Sequence, residues 1–229
     1  MNKIFENQPS LFNDLFYNYF ETYKICIRFY TSNKILYDIF INNNKFENIY
    51  FTPKSYNDLL YAVNLWCLYP DIAINLYNHI SSWNTSYITD MNNIFYSRND
   101  FNEYIGDWNV SNVNNMMWMF ASTCKFNKPI DQWNVSNVIE MRYMFSSAEC
   151  FNQSLNKWDV SNVKFMYNMF SYTNNFNQPL NLWNVSNVIN AKSMFSGALS
   201  FNQNIKNWIL PNKTDITHMF YNAKNFNKK

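Results

Sequence analysis

The sequence contains very little glycine, only 2 residues in 229. A Walker A loop and a dinucleotide-binding fingerprint each require more glycines than this, so a glycine-rich phosphate-binding loop is excluded. Charge is also scarce, because Asp, Glu, Lys and Arg make up only 15% of the chain and the formal net charge is +2. Without a broad positive field or a run of Lys and Arg, the sequence predicts no binding to nucleic acid.

Long apolar runs are absent as well. No stretch approaches the roughly 18 uninterrupted apolar residues of a transmembrane helix. The N-terminal MNKIFENQPSLFNDLF has no apolar signal-peptide core, and no cysteine near the start could carry a lipid. These features favour an intracellular protein. The four cysteines lack metal-ligand spacing and are interpreted as buried free thiols: Cys26, Cys67, Cys124 and Cys150.

Aromatic residues and asparagine are present in excess. The chain has 21 Phe, 17 Tyr and 8 Trp, and asparagine occupies 43 positions. Its polarity therefore comes from neutral amides rather than ions. Hydrophobic residues reach 48%, which is enough to build a core in a chain of this length.

The dominant pattern is a repeat of 25 residues. A tryptophan recurs at this spacing, and a Phe-Asn pair and a further phenylalanine recur in step with it. One full unit, residues 151–175, reads FNQSLNKWDVSNVKFMYNMFSYTNN. The tryptophans are Trp83, Trp108, Trp133, Trp158, Trp183 and Trp208, and the second phenylalanine column is Phe95, Phe120, Phe145, Phe170, Phe195 and Phe220.

Each unit combines two periodicities. Leu155-x-x-Trp158-x-Val160 has the spacing of a leucine-rich repeat and ends in the alternation of a half-buried strand. The next apolar residues, from Val163 to Phe170, follow the spacing of a short helix, and Ser161 precedes them at the position of a helix N-cap. Each unit is therefore predicted to be a strand, a capped helix of about two turns and a return loop.

A single unit cannot bury its own apolar side, so the units are expected to stack. The predicted fold class is an α/β repeat, a right-handed solenoid like that of leucine-rich repeats, with about six 25-residue strand–helix coils. Its interior is predicted to hold the Trp, Phe and Met columns. A ladder of asparagines is expected to bond the backbone at the turns between coils: Asn102, Asn127, Asn152, Asn177, Asn202 and Asn227.

The remaining segments are interpreted from the two ends of the repeat. Residues 55–80 are predicted to form a helical cap, because Ser55 and Asp58 make a capping pattern and Pro70 suits the start of a second helix. Residues 81–229 form the six-coil array, and Pro211 breaks the repeat pattern in its last coil, which is predicted to be a terminal cap. Residues 1–54 are predicted to be a small α+β module.

The unit FNQSLNKWDVSNVKFMYNMFS resembles the repeat of the BspA-like leucine-rich-repeat surface proteins, through the core W-x-V-S-x-V-x-x-M-x-x-M-F. The segment DLLYAVNLWCLYPDIAINLYNHISSWNTSYITDMNNIF resembles the entry segment of such arrays, so the resemblance covers about residues 57–229. It implies a leucine-rich-repeat-like solenoid, no enzymatic activity, no cofactor, and a role in binding proteins or surfaces.

Related arrays occur in large DNA viruses of protists as well as in bacteria. The bias toward Asn, Ile, Tyr, Phe and Lys resembles that of an AT-rich genome of either kind. A viral member would be expected in the host cytoplasm or in the virion.

Few residues suggest catalysis. His79 and His218 are predicted at the end of the cap and in the last coil, and the aspartates near strand ends lie in different columns. Cys124 and Cys150 occupy nearby loop positions of adjacent coils, where ordinary packing explains them. The sequence therefore predicts a non-enzymatic protein with no catalytic, metal or cofactor site.

Two surfaces are candidates for binding a partner. Residues beside the buried tryptophans point outward and form an amide-rich ribbon, for which solvated polar surface is the alternative interpretation. Its candidate residues are Gln132, Asn134, Lys157, Asp159 and Asn184. On the helix side, the candidates for an outer aromatic patch are Trp118, Tyr143, Phe165 and Tyr167. The alternative is that they fold back onto the neighbouring coil.

Two functions follow from these surfaces. The first is a protein–protein interaction scaffold that binds an unidentified protein partner through the solenoid surface. The alternative is a structural or assembly component, for example virion-associated, that self-associates through its outer aromatics or through the solenoid end.

Overall fold

The structure is a computed structural model that describes residues 51–227. The chain divides into two compact units, Met1–Ile49 and Tyr50–Lys229. Because the description begins at residue 51, the α+β module predicted for residues 1–54 lies outside the described residues, except for its last four.

The first predicted helix is present as α1, which spans Tyr56–Leu68. It begins where the hydroxyl oxygen of Ser55 accepts a hydrogen bond of 3.2 Å from the backbone N–H of Asp58. The carboxylate of Asp58 accepts in return from the backbone N–H of Lys54, at 3.1 Å. The predicted capping pair thus forms, with its return bond shifted by one residue from the usual capping box.

The second predicted helix, α2, spans Pro70–Tyr77. Pro70 stands in its first turn, where the missing N–H of proline costs no helical hydrogen bond. A short 3₁₀ turn at Ile80–Ser82 then leads into the first tryptophan of the repeats.

The predicted fold class is wrong. Among residues 51–227 the helices are limited to α1, α2 and the 3₁₀ turn, and no strand forms. Each 25-residue repeat is a coil of successive turns, so the chain is not an α/β solenoid of strand–helix coils. Neighbouring coils meet at isolated parallel bridges that link Asp90, Asn115, Glu140, Phe165, Asn190 and Asp215 in series.

The helix predicted from Val163 to Phe170 is replaced by turns. The backbone N–H groups of Met166 and Phe170 donate to carbonyls of the next coil, whereas that of Met169 donates three residues back to Met166. Asn168 has a φ of 55°, a left-handed conformation that an α-helix does not accommodate. A turn that closes every three residues repeats buried positions at nearly the same spacing as a helix, and this is why the apolar pattern misled.

The strand predicted around Trp158 is also absent. The backbone N–H of Trp158 closes a turn on the carbonyl of Leu155, at 3.0 Å. Trp158 and Val160 are nevertheless buried and Asp159 is exposed, as the alternation predicted. The predicted inward and outward directions of these side chains were therefore correct. The backbone, however, bridges to the neighbouring coils at Phe165, seven residues after Trp158.

The coils stack in register around a continuous aromatic core. The tryptophans from Trp83 to Trp183 are at most 4% exposed. The rings from Phe95 to Phe220 lie 5.4–5.5 Å apart and within 8° of parallel. A second column, from Phe101 to Phe226, has spacings of 5.8–6.1 Å. The recurrent aromatic residues are thus predominantly core, as predicted.

Helix α1 covers the first coil. Trp66 contacts Trp83 edge-on, with ring centroids 6.1 Å apart, and is only 6% exposed. The hydroxyl of Tyr56 donates a hydrogen bond of 3.1 Å to the carbonyl of Asn92. In later coils the carbonyl at this position accepts a hydrogen bond from a backbone N–H of the preceding coil. The first coil has no preceding coil, and α1 supplies the donor in its place.

The last coil, residues 201–225, packs on the coil before it, but its own core residues are less buried. Its core residues Trp208 and Phe220 are partly exposed, whereas Trp183 and Phe195 in the coil before are 3% and 0% exposed. Within residues 51–227 the stack therefore has one end covered by α1 and one end at which core side chains reach the surface.

Candidate interaction surfaces

The predicted asparagine ladder is confirmed. From the second coil onward, an asparagine side-chain oxygen accepts from the backbone N–H of the asparagine 25 residues later, at 2.9–3.1 Å. Gln153 and Gln203 add a bond from Nε2 to the asparagine oxygen of the coil before them, each at 2.9 Å. These amides hold the coils together, so this column is structural.

The amide-rich ribbon is exposed as predicted, at Gln132, Asn134, Lys157, Asp159 and Asn184. Its oxygens, however, are used within the chain. The side-chain oxygens of Asn134, Asp159 and Asn184 each accept from the backbone N–H of the serine two residues later, at 3.0–3.1 Å. Ser161 therefore closes a turn with Asp159 and caps no helix.

A second asparagine ladder was missed in the sequence. Asn112, Asn137, Asn162 and Asn187 each donate from Nδ2 to the carbonyl of the serine 26 residues earlier, at 2.7–2.8 Å. The signal was available, because the recurring Ser-Asn-Val places each of these asparagines directly after a serine. It too joins neighbouring coils.

The predicted aromatic residues lie together on the outer surface. The rings of Trp118 and Tyr143 stack with centroids 3.9 Å apart and planes within 10°. Tyr143 meets Tyr167 edge-on at 4.9 Å, and Trp118 meets Tyr96 edge-on at 5.6 Å. The two interpretations, an exposed patch and rings folded onto the neighbouring coil, each hold in part. These three rings pack on rings of neighbouring coils, yet Trp118, Tyr143 and Tyr167 remain only partly buried.

Arg142 belongs to the same surface, although the sequence gave no reason to select it. Its guanidinium carbon lies 5.5 Å from the ring centroid of Phe165, and its Nε donates to Oε2 of Glu140 at 2.8 Å. A guanidinium placed over a ring adds a cation–π attraction. We define the outer aromatic patch as Trp118, Arg142, Tyr143, Phe165 and Tyr167.

Tyr143 is a neutral hydrogen-bonding group at physiological pH. Burial, followed by the hydrogen bond with Tyr167, raises the pKa of Tyr143. The patch therefore combines apolar ring area, phenol hydroxyls and one guanidinium, which is paired with Glu140 at 2.8 Å.

The groups that could serve catalysis are scattered. Burial, which outweighs the opposing charge of Arg98, raises the pKa of Cys67 to about 11, so its thiol is a poor nucleophile. His79 lies 3.9 Å from a carboxylate oxygen of Glu103, and both side chains are nearly half exposed. Over residues 51–227, no group of three His, Cys, Asp or Glu side chains is placed to hold a metal ion.

Cys124 and Cys150 do approach one another along the backbone. The N–H of Cys150 donates to the carbonyl of Cys124 at 3.0 Å, and both thiols are free. Cys67 is the third free thiol, and Cys26 lies outside the described residues. The prediction that the cysteines are buried is wrong for these three, since Cys67 and Cys124 are half-buried and Cys150 is exposed. His218 is exposed and contacts the ring of Tyr221 at 5.5 Å.

A protein-family model matches the chain over residues 68–172 and again over 130–229, and is described as a Mycoplasma protein of unknown function, DUF285. The chain belongs to the DUF285 family. This family is also known as the BspA-like or Mycoplasma repeat family, which confirms the resemblance at the level of the repeat. No curated protein and no solved structure matches the chain.

The DUF285 match begins at the last residue of α1 and runs through all six coils. The matched range contains α2, the six coils and the outer aromatic patch of this chain. In the described part of this DUF285 chain, no helix has the length and apolarity needed to cross a membrane.

Proposed function

We propose that this DUF285 chain is a non-enzymatic protein-recognition module that binds a protein partner on the outer aromatic patch. The observation that carries the proposal is the parallel stack of Trp118 and Tyr143 at 3.9 Å, on an outer surface where both rings keep an exposed part. Trp, Tyr and Arg are the residue types most enriched among those that dominate binding energies at protein interfaces, and the patch contains all three.

The patch is also organised before any partner arrives. Trp118 is held between Tyr96 and Tyr143, and the guanidinium of Arg142 is held by Glu140. Side chains that are already fixed lose little conformational entropy on binding, so more of their contact energy appears as affinity. The ribbon is less suited to this role, because the oxygens of Asn134 and Asn184 already bond the chain's own backbone.

The likeness to BspA-like surface proteins supports a binding role rather than catalysis. The same proposal places the chain in an organism or virus with an AT-rich genome, because of its bias toward Asn, Ile, Tyr, Phe and Lys. A large DNA virus of protists is one such source.

Two double variants test the proposed surface. The full chain is used to capture partners from cells of its source, and the affinity of a purified partner is then measured by calorimetry. We expect Trp118→Ser with Tyr143→Ser to weaken binding at least tenfold, which is about 1.4 kcal/mol or more. Asn134→Lys with Asn184→Lys serves as the matched control on the ribbon and is expected to change affinity less than twofold.

Thermal melts show whether each double variant is folded. If the ribbon variant abolishes binding and the patch variant does not, the ribbon is the binding surface and the proposal fails. Equal affinity for all three proteins would exclude both surfaces.

A structural or assembly role is the second candidate, and it is favoured by large apolar side chains that are exposed to solvent. Leu182, Ile189 and Ile209 are 66%, 49% and 79% exposed. Apolar side chains with this exposure support association where they combine into a continuous patch. Sedimentation of the full chain over a range of concentrations should then show self-association, weakened in Trp118→Ser with Tyr143→Ser, and a monodisperse monomer at high concentration would contradict it.

A further inference from the structure

A cleft of about 370 Å³ lies between the junction of α1 with α2 and residues 97–103. Its lining includes Trp66, Pro70, Arg98 and Phe101. We propose that this cleft binds a small ligand through a carboxylate, which the guanidinium of Arg98 and the indole N–H of Trp66 hold, with an apolar body against the ring walls. The proposal is independent of the function proposed above, because the cleft shares no residue with the outer aromatic patch.

Arg98 is a large cationic residue at a position where the repeat otherwise carries small ones. The equivalent residues of later coils are buried: Thr123, Ala148, Thr173, Ala198 and Ala223. The guanidinium donates to the side-chain oxygen of Asn64 on α1, which uses only one of its N–H groups. No carboxylate within residues 51–227 forms an ion pair with it. A half-buried guanidinium with free N–H groups can bind a carboxylate through two parallel hydrogen bonds.

The indole N–H of Trp66 is a second free donor at the cleft. The tryptophans of the repeat each donate this N–H to a backbone carbonyl, at 2.8–3.3 Å. Trp66 is only 6% exposed, and no acceptor in the described part of the chain bonds its indole N–H. Among residues 51–227, however, no side-chain nitrogen is both sealed from solvent and without a partner. This N–H is therefore open to solvent, and the cleft is the space that the side chain lines.

Two carboxylates also line the cleft and act against an anion to different extents. Asp100 is already paired with a lysine ammonium at 2.7 Å. Glu103 is nearly half exposed and opposes an anion more directly. The thiol of Cys67 senses this balance, because burial raises its pKa to about 11, the charge of Arg98 works against that rise, and Glu103 adds to it least. The field of Arg98 is thus the stronger of the two at this wall of the cleft.

The walls define the rest of the ligand. The rings of Trp66 and Phe101 are each 6% exposed, so the two donors stand beside apolar surface. Small-molecule sites are mostly apolar, with a few placed polar groups and volumes of roughly 300–1,000 Å³. A cleft near the lower end of this range suits one aromatic or branched aliphatic group together with its carboxylate. Such a group is either a free organic acid or the last residue of a peptide.

The test uses the full chain and two acids, 3-phenylpropionate and the peptide Gly-Gly-Phe, each compared with its carboxamide. We expect at least one acid to bind saturably in an NMR titration, and at least tenfold more tightly than its amide. The indole N–H signal of Trp66 should shift, whereas that of Trp158, which is bonded inside the core, should not. Binding of 3-phenylpropionate alone identifies a free acid as the ligand, and binding of the peptide alone identifies a chain terminus. Equal binding of acids and amides, or no saturable binding at millimolar concentrations, would overturn the proposal.

Variants separate ligand binding by Arg98 from its bond to α1. Arg98→Ala should weaken the bound acid at least tenfold, and the coil accommodates alanine there, as at Ala148 and Ala198. Asn64→Ala removes the same bond to α1 but keeps the guanidinium, so affinity should fall less than twofold. Thermal melts show that both variants are folded. Equal losses of affinity would mean that Arg98 only anchors α1, and would overturn the proposal.

A third variant tests the charge balance of the cleft. Glu103→Gln removes the carboxylate that opposes the ligand and should tighten binding of the acid about two- to fivefold, with little effect on the amide. Weaker binding of the acid in Glu103→Gln would contradict a carboxylate held by Arg98.

Discussion

The indole nitrogen of Trp158 donates a hydrogen bond of 3.0 Å to the carbonyl oxygen of Ile130, 28 residues earlier. The equivalent bond recurs from Trp108, Trp133, Trp183 and Trp208, at 2.8–3.1 Å. A buried indole N–H needs an acceptor, and in this stack the preceding coil provides it. Each of these tryptophans therefore sets the register between two coils, and all of them except the partly exposed Trp208 are buried in the core.

Truncating one tryptophan should destabilise the stack strongly. We expect Trp158→Ala to lower the free energy of unfolding by about 3–5 kcal/mol, because it removes a core ring and leaves a cavity. Trp158→Phe should cost less, about 1–3 kcal/mol, because it keeps a ring and removes only the indole's bond to the carbonyl of Ile130. That carbonyl still accepts from the backbone N–H of Trp133, at 3.2 Å. Urea unfolding measures both costs. Lys157→Ala, at the exposed neighbour, is the control. If Trp158→Ala lowered the free energy of unfolding by no more than Lys157→Ala does, the indole would not be part of the core.

The asparagine ladder yields a prediction that separates the oxygen from the amide nitrogen. The side-chain oxygen of Asn152 accepts from the backbone N–H of Asn177 at 2.9 Å and from Nε2 of Gln178 at 3.1 Å. Asn152→Ala removes both bonds and should cost about 1–3 kcal/mol. Asn152→Asp keeps the acceptor oxygen and should retain most of the stability in urea unfolding at neutral pH. If both variants lose the same amount, the ladder does not work through this oxygen.

Side-chain placement could be predicted from the sequence, whereas the backbone path could not. The spacing identified Trp158 and Val160 as buried and Asp159 as exposed, and this is correct. A helix and this series of turns differ mainly in which carbonyls accept from the backbone N–H groups. The pattern of apolar residues reports which side chains are buried and carries no information on those acceptors. Asn168, with its left-handed φ, is one of the few local signals, because asparagine tolerates this conformation better than most residues.

The surfaces were predictable to a similar extent. Trp118 and Tyr143 are 25 residues apart, so their stacking follows from the repeat itself. Tyr167 was predicted on the same outer face, and its ring does meet that of Tyr143. Arg142 was not predicted, because it lies one position out of the aromatic column and its place over Phe165 depends on how one coil is offset from the next. The turn-closing role of Asn134 needed the backbone conformation, which the repeat pattern does not give.

Tyr56 should make part of the stability depend on alkaline pH. Burial first, and the charge of Asp90 second, raise the pKa of Tyr56 to about 12, above the ordinary value of about 10 that applies when the chain is unfolded. A group with a raised folded pKa contributes its stability in full below the unfolded pKa and loses it as pH rises through the folded pKa. This contribution is therefore lost between about pH 10 and pH 12.

Tyr56→Phe isolates that contribution. At pH 8 it should lower the free energy of unfolding by about 0.5–1.5 kcal/mol, because the bond from the hydroxyl to the carbonyl of Asn92 is lost. The difference between variant and parent should shrink as the pH rises above 10, as followed by urea unfolding across that range. Tyr87→Phe, at a tyrosine that is 59% exposed, is the control. A difference for Tyr56→Phe that stays constant up to pH 12 would contradict the assignment.

Gly197 allows a close contact between neighbouring coils. It has a φ of 71°, and a Cβ placed there would lie 2.6 Å from the ring of Tyr172 in the coil before. Tyr172 and Asn222 occupy the same slot in neighbouring coils, also with positive φ, so this conformation alone does not require glycine. The collision with the ring is the added restriction, because the side chain of Tyr172 must move away before any residue larger than glycine fits.

A double-mutant cycle can measure that restriction. Gly197→Ala should lower the free energy of unfolding by about 1–3 kcal/mol, from the left-handed backbone and the displaced ring together. In the background Tyr172→Ala the same substitution should cost less, with a coupling of at least about 0.5 kcal/mol, because only the backbone contribution remains. Urea unfolding of the four proteins gives the coupling. Strictly additive costs would mean that the ring leaves freely and that glycine is selected at this position for the backbone alone.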